Sequence, residues 1–308
     1  MLNYLSVIIM NKKAKGSLLL LLGTIIWGTA FVAQDIAMAH VGPFTFQAVR
    51  CFMALLVLIP TTLITDRKNK TEFTYMQRWA DKKLWIAGIL CGIPLFIACN
   101  LQQLGIAENT GAGKSAFITA MYIIFVPIIG LFRKQKIRWT IPVSVLMAVV
   151  GLYYLSCYGV TQISTGDLLL FGCAIAFSVQ ITFVDIFANA VDAVRLSTIQ
   201  ALVCTVLSSI FMFILETPTW AGIYAALLPL IFVGCLSMGL SYTLQIVGQK
   251  SLDPSVASLI MSMESVFAVI AGGIIQKQWL KNWEFVGCIL VLVAVVISQL
   301  PQHKKKTA

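Results

Sequence analysis

Ten apolar stretches of bilayer-crossing length follow one another along the chain, and this succession limits the possible folds more than any other feature. They lie at 16–39, 43–65, 84–106, 112–132, 139–157, 167–189, 194–215, 221–247, 254–275 and 283–300. Hydrophobic residues make up 59% of the 308 positions and charged residues 11%, whereas a soluble globular domain carries about 25% charge. The sequence therefore predicts an all-α integral membrane protein with ten transmembrane helices and almost no chain outside the bilayer.

Basic residues are concentrated in alternate connections. Lys and Arg are frequent at the N-terminus, in 66–83 and in 133–138, whereas the connections on the other face hold only Lys114, Lys277 and Lys281. By the positive-inside rule, this distribution predicts that both termini are cytoplasmic. The net charge of +10 is then a topology signal that also favours anionic inner-leaflet lipid, and nucleic acid is not an expected partner.

A carboxylate stands in the middle of one apolar stretch. Glu264 lies within DPSVASLIMSMESVFAVIAGGII, and the earlier stretch TGAGKSAFITAMYIIFVPIIG places Tyr122 at the matching position. Because an unpaired ionised acid is costly at that depth, we expect a neutral acid hydrogen-bonded to Tyr122, Ser262 or the backbone. Two interpretations of Glu264 stay open: a proton-coupling residue, or a fixed hydrogen bond at a helix irregularity.

The two halves of the chain match in inverted order. Five stretches precede residue 158 and five follow it, so the second copy enters the membrane in the opposite sense. We therefore predict two five-helix repeats, 1–157 and 158–308, around a shared central cavity. Asp35 and Asp185 align near the ends of the first and sixth spans, and inversion places them toward opposite faces as candidate gating or coupling residues.

Several short motifs identify a family. The chain contains Trp27-Gly28-Thr29 with Phe31-Val32, then Arg50-Cys51-Phe52, then Asp253–Leu259 running to Glu264–Phe267. In this order, with ten spans and a duplication, they resemble the EamA family of the drug/metabolite transporter superfamily over about 17–157 and 166–300. The resemblance implies an inverted-repeat carrier of the bacterial inner (plasma) membrane, often an exporter of amino acids or other small metabolites.

Three positions depart from that family pattern. The family commonly has Glu just after the fourth and ninth spans, where this chain has Gln135 and Gln278. It also tends to have Pro after the mid-span Glu, where Ser265 stands. A charge-dependent gate at the two Gln positions would be absent here, and no proline imposes a helix break after Glu264.

Polar and aromatic residues in mid-span are the candidate site residues, because such groups must face a protein partner or water. They lie on the first, third, fourth, sixth, eighth and ninth spans, whereas the other spans are more aliphatic in their middles. The candidate substrate-binding residues are Trp27, Asn100, Tyr122, Gln180, Tyr242, Gln245 and Glu264. For the uncharged members of this set, interhelical packing is an equal alternative. Arg50 is expected either to contact an anionic substrate, or to reach the interface or pair with Asp35.

The function predicted from these features is secondary transport of a small organic solute, such as an amino acid, by alternating access. The alternative is a membrane-embedded enzyme or sensor, but the chain has no HExxH motif or paired carboxylates at one depth. Eight cysteines without a CxxC pair and only two histidines predict no metal site, and no cofactor is expected. The remaining expected partners are the lipid bilayer and, as an open alternative, protons. Monomer and homodimer are both open.

Overall fold

The computed structural model describes residues 2–68, 74–108, 111–156, 158–159, 163–277 and 281–300. Within these ranges the chain is helical and contains no strands. We number its spans in chain order. They are span 1 (Leu2–Ala37), span 2 (Pro43–Lys68), span 3 (Lys82–Ala107), span 4 (112–132), span 5 (Thr140–Ser156), span 6 (Thr165–Phe187), span 7 (Ala193–Leu215), span 8 (227–249), span 9 (254–276) and span 10 (Asn282–Gln299).

Nine of these spans in the described residues are long and apolar enough to cross a membrane. Span 5 is also apolar but has 17 residues. At 1.5 Å per residue it measures about 25 Å, somewhat less than the hydrocarbon core of about 30 Å. The predicted succession of ten membrane helices is therefore confirmed, with span 5 the shortest of the apolar crossings in the described part of the chain.

Side-chain caps fix where several spans begin. Asp81 accepts from the backbone N–H of Lys83 at 2.9 Å, and Asp192 accepts from that of Arg195 at 2.9 Å. Asp253 caps span 9 in the same way, with Pro254 in the first helical position, where its missing N–H costs nothing. These caps satisfy first-turn donors that would otherwise be unpaired at the membrane boundary.

Span 8 begins later than the sequence predicted. Trp220–Ala225 is a separate short helix, and a turn at Ala226 precedes the helix that starts at Leu227. Pro229 then lies in the first turn of the new helix, where no intrahelical N–H is required. The middle of the span, Phe232–Ser241, is a π-helix whose wider turns rotate the residues that follow.

Spans 4 and 9 are each broken at matching positions. Span 4 consists of Ala112–Thr119 (4a) and Tyr122–Phe132 (4b), and span 9 of Pro254–Met261 (9a) and Glu264–Gln276 (9b). Tighter i+3 bonds replace the α-helical pattern at both breaks: the N–H of Ile123 donates to the Ala120 carbonyl at 3.1 Å, and the N–H of Ser265 to the Ser262 carbonyl at 3.2 Å.

The break in span 9 therefore forms without a proline. It places Glu264 at the first position of half-helix 9b, just as the break in span 4 places Tyr122 at the first position of 4b.

Helix packing follows the duplication. Span 1 packs on span 8 and on 9b, and span 6 packs correspondingly on span 3 and on 4b. Spans 2 and 7 pack on each other, as do spans 5 and 10, while 4a meets 9b and 4b meets 9a. Each contact made by one half thus has a counterpart in the other, as expected for inverted repeats. We call the side where span 1 begins the N-terminal face, and the other side the opposite face.

Candidate functional site

A central cavity lies where spans 1, 2, 3, 4, 6, 8 and 9 meet. It brings together every predicted substrate-binding residue except Asn100: Trp27, Tyr122, Gln180, Tyr242, Gln245 and Glu264. Its volume is about 40 Å³. One water needs about 10–15 Å³, so the cavity has room for a few waters and must widen to admit a metabolite. The expected lining spans are all present, and span 2, which the sequence left out, joins them.

The two broken spans meet at the centre of this cavity. The Tyr122 hydroxyl donates to Glu264 Oε1 at 3.0 Å, and both side chains are buried, at 4% and 5% exposure. This is one of the hydrogen bonds predicted from the sequence, whereas the Ser262 hydroxyl donates to the Leu259 carbonyl instead. Because Glu264 opens half-helix 9b, the positive end of that helix dipole faces its carboxyl group. The site can therefore hold either a hydrogen-bonded acid or a carboxylate.

Gly28 explains why span 1 reaches this break. A Cβ at Gly28 would lie 2.7 Å from the Glu264 carbonyl oxygen and 2.8 Å from the Ala268 nitrogen. Both are backbone atoms, which cannot rotate away as a flexible side chain can. Only glycine therefore lets the backbone of span 1 approach 9b this closely.

A chain of amides forms one wall of the cavity. Gln245 Nε2 donates to Gln180 Oε1 at 3.1 Å, and Gln180 Nε2 donates to Gln200 Oε1 at 3.1 Å. Gln249 on the same helix donates to the Ile181 carbonyl at 3.1 Å. These bonds join spans 6, 7 and 8 on the side of the cavity nearer the N-terminal face. Within the described residues, Gln245 Oε1 is buried without a hydrogen-bond partner, so it can accept from a ligand.

Two aromatic side chains form another wall. The rings of Trp27 and Tyr242 lie 5.0 Å apart and are tilted by 59°. The Tyr242 hydroxyl contacts the Cys99 thiol at 3.6 Å. The Trp27 Nε1–H is buried and finds no acceptor in the part of the chain that the structure describes. The aromatic wall thus offers apolar surface together with one free donor.

Arg50 lines the cavity too, although the sequence analysis left its role open. Its side chain is 3% exposed, its Nη1 donates to Gln34 Oε1 at 2.9 Å, and its guanidinium lies 5.6 Å from the centre of the Phe46 ring. It neither reaches the interface nor pairs with Asp35. The available signal was an arginine several residues inside an apolar stretch, but the helix face on which it lies cannot be read from an almost uniformly apolar pattern.

Asn100 lies away from the cavity. Its amide donates to the Phe96 carbonyl at 2.8 Å and to the Ser208 hydroxyl of span 7 at 3.2 Å. Its position therefore does not support the prediction that Asn100 contacts substrate. It agrees with the alternative prediction, that Asn100 packs between helices. Besides Arg50, the polar lining residues that the sequence-derived set omitted are Gln34, Gln102 and Ser237.

Asp35 and Asp185 occupy matching places at opposite faces. Asp35, near the end of span 1, accepts from Gln276 Nε2 at the end of 9b at 3.2 Å. Asp185, near the end of span 6, pairs with Arg133 just beyond 4b at 3.2 Å. Each carboxylate thus ties one span to the broken span beside it, and a gating role for them stays a prediction.

Of the two departures from the family's Glu positions, Gln278 lies outside the described residues.

Similarity to known proteins extends over nearly the whole chain. The sequence profile of the EamA-like transporter family matches residues 14–157 and 164–299, one segment in each predicted half. An "Uncharacterized transporter" of Archaeoglobus fulgidus is 28% identical over 94% of this chain and 87% of its own length. The "Uncharacterized transporter YoaV" of Bacillus subtilis is 21% identical over 89% of this chain and 91% of its own.

Solved structures share the fold, and a crystal structure among them has a TM-score of 0.74 at 16% identity over 93% of this chain and 96% of that chain. Fold, duplicated halves and profile agree over nearly the full length. This protein belongs to the EamA-like transporter family.

Proposed function

We propose that this member of the family exports a small organic metabolite, such as an amino acid, from the bacterial cytoplasm across the inner membrane by alternating access. Both termini are cytoplasmic in this proposal, because the basic connections lie on the N-terminal face. The observation that carries the proposal is the central cavity at the junction of two inverted halves, where the breaks of spans 4 and 9 meet through Tyr122 and Glu264.

The lining chemistry supports a solute of this class. Aromatic rings, amides and hydroxyls line the cavity together with Arg50 and Glu264. A highly charged solute such as a nucleotide sugar would need more cations than this lining offers. The small volume supports alternating access, because a metabolite can enter only if the spans around the cavity move apart.

Transport in proteoliposomes tests the proposal. The purified protein is reconstituted and supplied with a panel of amino acids and other small metabolites, with and without a pH gradient, and empty liposomes serve as the control. We expect saturable flux of at least one solute above the liposome background. Absence of flux for every member of the panel, with correctly folded protein in the membrane, would refute the transport assignment.

Glu264 variants then test proton coupling. Glu264→Gln keeps a hydrogen-bonding group opposite Tyr122 but cannot release a proton, whereas Glu264→Ala removes both properties. If Glu264 couples proton movement to transport, the Gln variant folds and exchanges solute across the membrane but no longer responds to the pH gradient. Full gradient-driven transport by Glu264→Gln would leave Glu264 with only the structural role.

A further inference from the structure

We infer that Arg50 binds the carboxylate of the transported solute and that Gln34 holds the guanidinium in place for it. This inference rests on the transport function proposed above and adds a substrate class and a specificity residue to the same cavity. Three observations carry it: the missing countercharge of Arg50, its place in the cavity wall, and the free donor on Trp27.

The first observation is the contrast between two buried arginines. Arg195 is 1% exposed and is paired with the carboxylates of Asp66 and Asp192. Arg50 is 3% exposed, yet within the described ranges no carboxylate lies at ion-pair distance from it, and its Nε is buried without a partner. A buried cation without a countercharge is costly, so its presence calls for an anion that the chain itself does not supply.

The second observation is position. Arg50 lies about 10 Å along span 2 from the opposite face, at 1.5 Å per residue, and it lines the same cavity as Glu264. Gly234 lets span 8 pack closely on the Arg50 backbone, since a Cβ there would lie 2.9 Å from the Arg50 carbonyl oxygen. Because Gln34 accepts a hydrogen bond from the Arg50 side chain and span 8 packs on the Arg50 backbone, the guanidinium is positioned before a ligand binds.

The third observation is a second donor on the same wall. Trp27 and Gln34 are seven residues apart on span 1, so they lie on one helix face two turns from each other. The Trp27 Nε1–H has no partner among the described residues. A solute held at Arg50 could therefore receive a further hydrogen bond from Trp27, which restricts how it is oriented.

The charges around the cavity indicate a monoanion. Arg50 is the one basic residue among the described lining residues, and Glu264 lies in the same cavity. A dianionic phosphate would meet a single cation and would be repelled by an ionised Glu264. A planar carboxylate matches the two-pronged guanidinium, and the other end of such a solute can be neutral or cationic.

The test compares each transported α-amino acid with its α-carboxamide, which has nearly the same shape without the negative charge. For the wild-type protein in proteoliposomes we expect kcat/KM to favour the carboxylate by about ten- to a hundred-fold, the range expected for one charged hydrogen-bonded contact. Arg50→Gln should bring that ratio close to one. Arg50→Lys keeps the positive charge but loses the two parallel N–H donors of the guanidinium, so it should give an intermediate ratio.

Arg138→Gln is the matched control, because Arg138 lies outside the cavity and donates to the Ser298 and Leu300 carbonyls. It should keep the wild-type ratio. Since each variant is judged by its own ratio, differences in expression do not affect the result. If Arg50→Gln does not fold, Gln34→Leu replaces it and should lower the ratio by freeing the guanidinium. Purified wild-type protein should also unfold at a higher temperature with the carboxylate than with the carboxamide.

The outcomes separate the two proposals. Equal transport of carboxylate and carboxamide by the wild type, or an unchanged ratio in Arg50→Gln, would overturn the role of Arg50 and leave the transport function intact. Transport of carboxamides or amines but not of carboxylates would also overturn the role of Arg50 and leave the transport function intact. If no solute of any charge is transported, the proposed function fails and this inference fails with it.

Discussion

Asp66 at the end of span 2 joins the two halves of the protein at the N-terminal face. Its carboxylate pairs with Arg195, which opens span 7, and with Arg78 of the short helix Tyr75–Trp79. The Arg195 guanidinium also lies 5.5 Å from the centre of the Trp79 ring. The substitution Asp66→Asn keeps the shape of the side chain and removes its charge.

The loss of unfolding free energy in Asp66→Asn depends on which charges remain near Arg195 and Arg78. Removing one partner of a buried ion pair costs about 3–5 kcal/mol, because the other charge is left uncompensated. Arg195 is 1% exposed, but Asp192 remains 3.7 Å from it and the Asp66 side chain is 14% exposed. Arg78 is less buried than Arg195, with 16% of its side chain exposed, so losing its partner should cost less than losing the partner of Arg195. We therefore expect Asp66→Asn to lower the free energy of unfolding by about 2–3 kcal/mol.

A double-mutant cycle measures this coupling in mixed micelles by chemical unfolding. Arg195→Gln removes the buried cation, so the pair Asp66→Asn with Arg195→Gln should be less destabilised than the sum of the single variants. Glu216→Gln is the control at the opposite face, where Glu216 accepts from the N–H of Phe44 at 2.9 Å and that of Thr45 at 2.8 Å.

Glu216→Gln keeps one acceptor oxygen at the N-terminal cap of span 2, so it should lower the free energy of unfolding by about 1 kcal/mol. The reasoning is wrong if Asp66→Asn stays within about 0.5 kcal/mol of the wild type, the range of an ordinary surface substitution. It is also wrong if the two single effects simply add.

Three further predictions concern other parts of the molecule. Gly28→Ala should lower the free energy of unfolding by about 1–3 kcal/mol through its clash with the backbone of 9b, whereas Gly272→Ala, whose nearest neighbour would be 3.8 Å away, should have little effect. Asn100→Ala should leave the order of solute preference unchanged in proteoliposomes, because Asn100 contacts Ser208 rather than the cavity; a changed order would return it to the site. A cysteine at Asn69, which lies outside the described residues, should react with a membrane-impermeant maleimide only from the cytoplasmic side, with the wild-type chain as background, and labelling from outside would reverse the proposed orientation.

The number and limits of the spans could be predicted closely because the bilayer sets the length of an apolar helix. The third span, for instance, was expected at 84–106 and is found at Lys82–Ala107. The pairing of Tyr122 with Glu264 could also be predicted, since the duplication placed them at one depth. Both predictions depend on distance along the chain or on depth, and the sequence records these directly.

The rotation of each helix about its axis could not be predicted in the same way. A span that is apolar on all sides carries no periodic signal to show which face meets lipid and which meets protein. Arg50 and Asn100 illustrate the consequence, because Arg50 lies in the cavity wall whereas Asn100 of span 3 faces Ser208 of span 7. The break after Ser262 was equally hidden, because the turn there tightens without a proline.

The two faces of the protein differ although the backbone is duplicated. Where span 2 ends and span 7 begins, a buried ion pair joins Asp66 to Arg195. At the equivalent place on the opposite face, Glu216 caps the start of span 2 through the backbone and hydroxyl of Thr45, with no cation paired to it among the described residues. Inverted repeats alone would make opening at either face equally costly. The side chains that differ between the halves must therefore set any difference in free energy between the two open states, and they include Asp66, Arg195 and Glu216.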